Sequence, residues 1–143
     1  MRIWDARTGQ LLRDLPTGAN RNVAVLSPTG RFLAAGTDEK EVWVWDLETG
    51  KPPWKVRGHL GQVLGLAFLP DERRLISCGY NNLINIWDVA TGEITLTLRQ
   101  HDGAVRSVAV SPDGRWFVSA SVDNTVRLWD ARLSNNTGQS RSD

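Results

Sequence analysis

The residue types of a serine hydrolase occur in the last third of the chain, as His101, Ser119 and Asp123. In such an enzyme the serine attacks a carbonyl carbon, the histidine accepts its proton, and the carboxylate orients the imidazole. That chemistry needs an exposed nucleophile beside an oxyanion hole. Ser119 instead falls in the middle of a predicted β-strand, and the sequence shows no strand-to-helix turn of the nucleophile-elbow type. The sequence therefore favours a structural role for these three residues over catalysis.

Metal and cofactor chemistry find little support in the composition. The chain has 143 residues with one cysteine, so Cys78 cannot form an intramolecular disulfide or a Cys-based metal cluster. The two histidines, His59 and His101, have no Cys or carboxylate at ligand spacing, and no Gly-rich phosphate loop occurs. We therefore predict no metal, no cofactor and no enzymatic activity.

Charge and hydropathy limit the class of partner. The formal net charge is +1, so no global field attracts nucleic acid or an anionic membrane. Glu41 and Asp46 flank Trp43 and Trp45, which disfavours a base-stacking platform. The N-terminal residues form no apolar signal segment, and no stretch has the length of a membrane span. These features predict a cytoplasmic protein that binds neither nucleic acid nor membrane.

The elements that position the polar side chains repeat along the chain. Trp-Asp pairs occur at residues 4–5, 45–46, 87–88 and 129–130, and the last three are 42 residues apart. Thr-Gly pairs follow at residues 8–9, 49–50 and 91–92. A repeat this regular predicts a stacked array of one supersecondary unit, whose copies bury their apolar faces against each other.

Within each repeat the pattern predicts short strands joined by tight turns. In the third repeat a largely buried strand starts at Val105 and stops at the turn 111–114, where Pro and Gly suit a type I turn. Strands at 116–121 and 125–129 follow. A fourth strand is predicted in the earlier repeats at 93–98 and 53–57, and the same strand type occurs at 10–15.

The Trp-Asp pairs, the Gly58-His59 dipeptide and the period resemble the WD-repeat (WD40) family of β-propellers, in which each repeat supplies a four-stranded blade. The resemblance implies an all-β propeller segment of about three blades, with repeats at about residues 17–58, 59–100 and 101–132. Residues 10–15 are then an N-terminal outer strand, and residues 133–143 form a polar, disordered tail. Because propellers typically have four to eight blades, three blades make an incomplete ring.

The resemblance also assigns the polar residues to a structural hydrogen-bond network in each blade. The third repeat has the full set, which is His101, Ser119, Asp123 and Trp129. The second repeat has His59, Ser77 and Trp87. Asn81 stands where Asp is expected there, so we expect a weaker network. In the first repeat the corresponding positions hold Thr17, Ala35 and Glu39, so packing must hold that blade.

Partners of WD-repeat proteins usually dock on the loop that leads into each first strand and beside the turn between the second and third strands. Mapped by the period, these positions are Asn20, Asn22, Asp38, Gln62, Leu64, Tyr80, Ala104, Arg106 and Val122. We select Tyr80, Arg106, Leu64, Gln62 and Asn22 as partner-binding residues, because Tyr and Arg are enriched at interface hot spots. The resemblance thus implies a non-enzymatic protein-interaction scaffold that binds a peptide or protein.

Two further interpretations stay open. The chain could be a regulatory or accessory propeller portion of a larger multidomain protein, in which the rest of a larger propeller supplies the missing blades. Alternatively, the strand count predicts self-association. Two copies would give a six-bladed homodimer, with the outer strand 10–15 of one chain completing the blade that ends at Asp130 of the other.

Overall fold

The computed structural model describes residues 1–15 and 20–132, and these residues form β-strands joined by turns and loops. The first six strands are β1 (Arg2–Trp4), β2 (Leu11–Asp14), β3 (Arg21–Leu26), β4 (Phe32–Thr37), β5 (Glu41–Asp46) and β6 (Trp54–Arg57). The others are β7 (Val63–Phe68), β8 (Arg74–Gly79), β9 (Ile84–Asp88), β10 (Ile94–Leu98), β11 (Val105–Val110), β12 (Trp116–Ser121) and β13 (Val126–Asp130). A helix able to cross a membrane is not found in these two ranges.

The strands form four antiparallel sheets. Strands β3 to β6 make the first blade, β7 to β10 the second blade and β11 to β13 the third blade, while β1 and β2 form an N-terminal hairpin. The innermost strands of the blades lie side by side, because β7 contacts both β3 and β11. The described residues therefore form an open arc, which confirms the prediction of an all-β, incomplete propeller.

Apolar side chains between neighbouring blades hold the arc together. The cluster between the first and second blades includes Val42, Val44, Leu66, Phe68 and Trp87. The cluster between the second and third blades includes Ile76, Ile84, Val105, Phe117 and Ala131. The second and third strands of the second blade, β8 and β9, are thus covered on both faces, which is why they are rich in consecutive apolar residues.

Tight turns fix the register inside each blade. The turn that joins β11 to β12 is closed by a hydrogen bond from the Gly114 amide to the Ser111 carbonyl at 2.9 Å. Gly114 has a φ of 68°, a left-handed conformation that glycine adopts without strain. The strand at 116–121 is confirmed, and β13 starts one residue later than predicted.

The N-terminal hairpin differs from the arrangement expected in a swapped dimer. Strand β2 is not free, because it pairs with β1 of the same chain, with Arg2 opposite Asp14 and Ile3 opposite Arg13. Leu15 packs with the hairpin against Trp45 of the first blade. Thr17 and the predicted tail at 133–143 lie outside the described residues.

Candidate functional site

The polar residues of the third blade form one hydrogen-bonded chain. His101 Nδ1 lies 2.7 Å from Asp123 Oδ2, and His101 Nε2 lies 2.7 Å from the Ser119 hydroxyl. Trp129 Nε1 donates to the same hydroxyl at 2.9 Å. The ionised carboxylate can only accept, so His101 Nδ1–H donates to it, and Nε2 shares a hydrogen bond with the Ser119 hydroxyl. The chain of bonds links the loop before β11 to β12, to the following turn and to β13.

Access to Ser119 separates this arrangement from a hydrolase triad. The distances within the Ser, His and Asp set resemble those of a triad, but Ser119 is 1% exposed and His101 is 4% exposed. The hydroxyl also lies in mid-strand under the Trp129 indole. A substrate carbonyl therefore has no approach to Ser119 Oγ, and the geometry supports a structural role.

Asp123 anchors the turn between β12 and β13 as a carboxylate. The Thr125 hydroxyl donates to it at 2.6 Å, and the Thr125 and Asp102 amides donate at 2.9 and 3.1 Å. The bond from Thr125, followed by the bond from His101, holds the pKa of Asp123 well below its ordinary value. The charged carboxylate thus ties the turn to the loop before β11.

The second blade repeats the arrangement with an amide in place of the carboxylate. His59 contacts Asn81 Oδ1 at 2.9 Å and Ser77 Oγ at 2.6 Å, and Trp87 Nε1 donates to Ser77 at 2.7 Å. Burial lowers the pKa of His59, so the imidazole is neutral and its Nδ1–H donates to Asn81. Asn81 Nδ2 is buried and has no hydrogen-bond partner among the described residues.

Sequence reasoning missed a second buried amide in this blade. Asn85 Nδ2 donates to the Gly58 carbonyl at 3.0 Å, and the Thr97 hydroxyl donates to Asn85 Oδ1 at 2.8 Å. These bonds tie the outer strand β10 to β9 and to the loop that carries His59. The available signal was a single Asn inside an otherwise apolar strand, because a buried amide needs partners.

Replacing Asn81 by Asp should raise the free energy of unfolding by about 1 kcal/mol. The change removes a buried donor that has no partner and gives His59 a charge-assisted acceptor. The matched control is Asp123→Asn, which should lower the free energy by a similar amount. Urea denaturation of both variants measures these changes, and a destabilised Asn81→Asp variant would contradict the argument.

Packing dominates in the first blade. Trp45 is buried against Leu33, Ala35 and the hairpin residue Ile3. Its ring lies 5.6 Å from that of Trp43, on the same face of β5. Trp43 Nε1 donates to Glu41 at 2.9 Å. Glu39, at the expected Asp position, is exposed.

The predicted partner-binding residues lie at one end of the blades, which we call the loop face. This end carries the loop before each first strand and the turn between the second and third strands. The Tyr80 amide donates to the Gln62 carbonyl at 3.0 Å, so loop and turn are joined there. The Arg106 guanidinium lies 5.1 Å from the centre of the Tyr80 ring, within cation–π distance. This contact links the second and third blades.

Asn22 and Leu64 lie at the same end, as the second residues of β3 and β7. Asn22 Nδ2 is 3.5 Å from the Val63 carbonyl, and Leu64 follows Val63 as a half-buried residue of β7. The set missed Leu60, which is 81% exposed in the loop after Gly58. Val122, at a mapped docking position, is 50% exposed. An apolar residue in a loop was the signal for Leu60.

Metal-binding groups are not found at this end or elsewhere in residues 1–15 and 20–132, where no three His, Cys, Asp or Glu side chains are grouped as ligands.

Comparison with known proteins agrees with the fold. The family described as WD domain, G-beta repeat matches residues 9–46, 50–88 and 92–130. Meiotic fizzy-related protein 1 of Schizosaccharomyces pombe is 31% identical over 84 residues, which are 57% of this chain and 20% of that protein. The human U5 small nuclear ribonucleoprotein 40 kDa protein is 41% identical over 51 residues, 36% of this chain and 14% of its own length.

Human WD repeat and SOCS box-containing protein 1 is 33% identical over 87 residues, 59% of this chain and 21% of that protein. The chain thus spans about a fifth or less of the length of these relatives. The family matches most of the chain in three consecutive repeats, each of which runs from an outer strand (β2, β6 or β10) to the third strand of the next blade. This protein therefore belongs to the WD40 repeat family.

Proposed function

We propose that this chain is a non-enzymatic protein-interaction scaffold that binds a peptide or protein partner on the loop face. The observation that carries the proposal is the Tyr80 and Arg106 pair, which bridges two blades at a surface position. Tyr80 is 47% exposed although it is aromatic. Tyr and Arg are both enriched among the residues that contribute most to binding at protein interfaces.

The chemistry around the pair favours an acidic or phosphorylated partner. Arg106 is exposed and forms no ion pair within the described residues, so its guanidinium is available to a carboxylate or phosphate. Leu60, in the loop before β7, and Val122, in the turn between β12 and β13, offer exposed apolar surface on the same face. We therefore propose a partner segment that combines an acidic residue with apolar neighbours.

Truncation of the pair tests this proposal. Peptides that bind the full chain are selected from a random peptide-display library. Their dissociation constants are then measured by fluorescence anisotropy. The double variant Tyr80→Ala, Arg106→Ala should weaken binding by about 30-fold or more, because two hot-spot side chains are lost, while the circular dichroism spectrum stays unchanged.

Arg115→Ala is the matched control for this measurement. Arg115 stacks on Trp116 at 4.9 Å, beside the turn between β11 and β12 at the opposite end of the third blade. The variant removes a similar cation–π pair and should leave binding unchanged. Peptides that bind the double variant with full affinity would place the site elsewhere.

A second candidate is an accessory propeller portion of a larger protein. Its support is the apolar surface at the two ends of the arc, where Leu128 and Val126 are 63% and 73% exposed and Trp4 is 53% exposed. Such surfaces usually contact further protein. Light scattering on the purified chain distinguishes the candidates, since a folded monomer would speak against a need for further blades.

We also propose the reducing cytoplasm as the compartment. Cys78 is the only cysteine, and burial raises the pKa of its thiol to about 12, so the thiol stays protonated. A thiol of this kind needs no oxidising environment.

A further inference from the structure

One position of the repeat lies on the third strand, next to the place of the outer strand. It lies two residues before the tryptophan of each Trp-Asp pair, on the third strand of the blade. Where the sheet has an outer strand, the side chain at this position contacts the outer-strand residue that lies directly opposite it. These pairs are Asn85 with Thr97, Trp43 with Lys55, and Arg2 with Asp14.

The two residues of each pair are chemically matched. The Thr97 hydroxyl donates to the Asn85 carbonyl oxygen at 2.8 Å. Lys55 Nζ lies 5.1 Å from the centre of the Trp43 ring, in cation–π contact. The third pair, Arg2 with Asp14, is ionic. In these three pairs the third-strand residue thus contacts an outer-strand residue of complementary chemistry.

In the hairpin the matched pair is ionic. Arg2 Nε lies 3.5 Å from Asp14 Oδ2, and both side chains are more than half exposed. Solvent screens a pair of this kind strongly, so it adds little to the stability of β2 on β1.

The third blade has an arginine at the same position. Within the described residues β13 pairs only with β12, which leaves its other edge open. Arg127 Nε is buried and has no hydrogen-bond partner in this part of the chain. A guanidinium is best matched by a carboxylate, so an acidic residue opposite Arg127 would suit an added strand.

The sequence around Arg127 almost duplicates the strand on which β2 lies. Residues 127–132 read Arg-Leu-Trp-Asp-Ala-Arg, and residues 2–7 read Arg-Ile-Trp-Asp-Ala-Arg. Strand β2, which pairs with residues 2–4, therefore also suits residues 127–129. In the same register, Asp14 would face Arg127 and Leu11 would face Trp129.

We propose that β13 accepts β2 of a second copy of this chain as its fourth strand, with the Asp14 carboxylate on the Arg127 guanidinium. The exchange is reciprocal, so two copies form a closed, two-fold dimer. This contact lies on the blade edges and does not depend on partner binding at the loop face.

The hairpin is a weak competitor for β2. All four residues of β2 are exposed there, whereas β6 and β10 each have two partly buried residues on their blades. The hairpin has only two strands and packs on the first blade through Ile3 and Leu15, whereas β13 is backed by two further strands of its own sheet. Pairing of β2 with β13 would bury apolar surface of Leu11 and Leu12 on the third blade. The pair of Asp14 with Arg127 would replace the pair of Asp14 with Arg2.

Charge reversal tests the proposal on the full chain. Asp14→Arg alone and Arg127→Glu alone each place like charges opposite one another in the exchanged strand. Sedimentation equilibrium should show at least tenfold weaker dimers for Arg127→Glu than for the wild type. Asp14→Arg opposes Arg2 in the competing hairpin as well, so its main use is as the partner in the mixture. An equimolar mixture of the two variants restores opposite charges at both junctions and should give mixed dimers by native mass spectrometry.

The control is Arg2→Glu, which disturbs Asp14 only in its hairpin and should leave the dimer as tight or tighter. Circular dichroism confirms that each variant is folded. A monomeric wild-type chain at tens of micromolar would overturn the proposal, as would a dimer that tolerates Arg127→Glu. Failure of the mixed variants to form dimers would also overturn it.

Discussion

Replacing Trp87 by alanine should lower the free energy of unfolding by about 3 to 5 kcal/mol, the range for a large aromatic removed from a core. Trp87 is fully buried and packs in the cluster between the first and second blades. Its indole Nε1 also donates to Ser77, so truncation removes a buried hydrogen bond together with the ring. Gly58 lies against the same ring, which leaves no side chain to fill the cavity.

The matched control is Trp4→Ala, at the same position of the repeat. Trp4 is 53% exposed in the N-terminal hairpin, so its removal should cost less than about 1 kcal/mol. Guanidinium denaturation of both variants measures the difference. Equal losses in the two variants would show that the blade interface does not carry the stability of the fold.

Removal of His101 should lower the free energy of unfolding by about 1 to 3 kcal/mol, because Ser119 and Asp123 lose a buried partner. The equivalent change at His59 should cost less. Its partner Asn81 is neutral, so no charged acceptor loses its donor.

Chemical denaturation of His101→Ala and His59→Ala gives this ranking directly. Gln100→Ala, next to His101 and exposed, controls for the change of loop sequence. A larger loss for His59→Ala would show that Asn85 and Thr97 make the second network the stronger one.

The fold could be predicted because the repeat encodes it locally. The Trp-Asp pairs and Thr-Gly turns recur at fixed spacing, and a strand placed in one repeat is therefore placed in all. Strand β12 was predicted to the residue, and the turn at 111–114 formed where Pro and Gly occur. Alternation and turn chemistry are properties of neighbouring residues, so a single sequence contains them.

Other features depend on which strands pair and in what register. Thr97 lies opposite Asn85 only because a register shift separates Ile94 from Leu96 in β10. The pairing of β2 with β1 of the same chain likewise depends on which edge strand is available, which the composition does not show. The exposure of Leu60 depends on how its loop leaves the blade, which spacing alone does not specify.

The central claim is that the loop face binds the partner, and chemical-shift mapping tests it most directly. An isotope-labelled full chain is titrated with an acidic peptide selected on it, and backbone amide shifts are followed by NMR. The claim predicts the largest shifts at Gln62, Tyr80 and Arg106. Shifts confined to the edge strands β2 and β13, with none at these three residues, would contradict it.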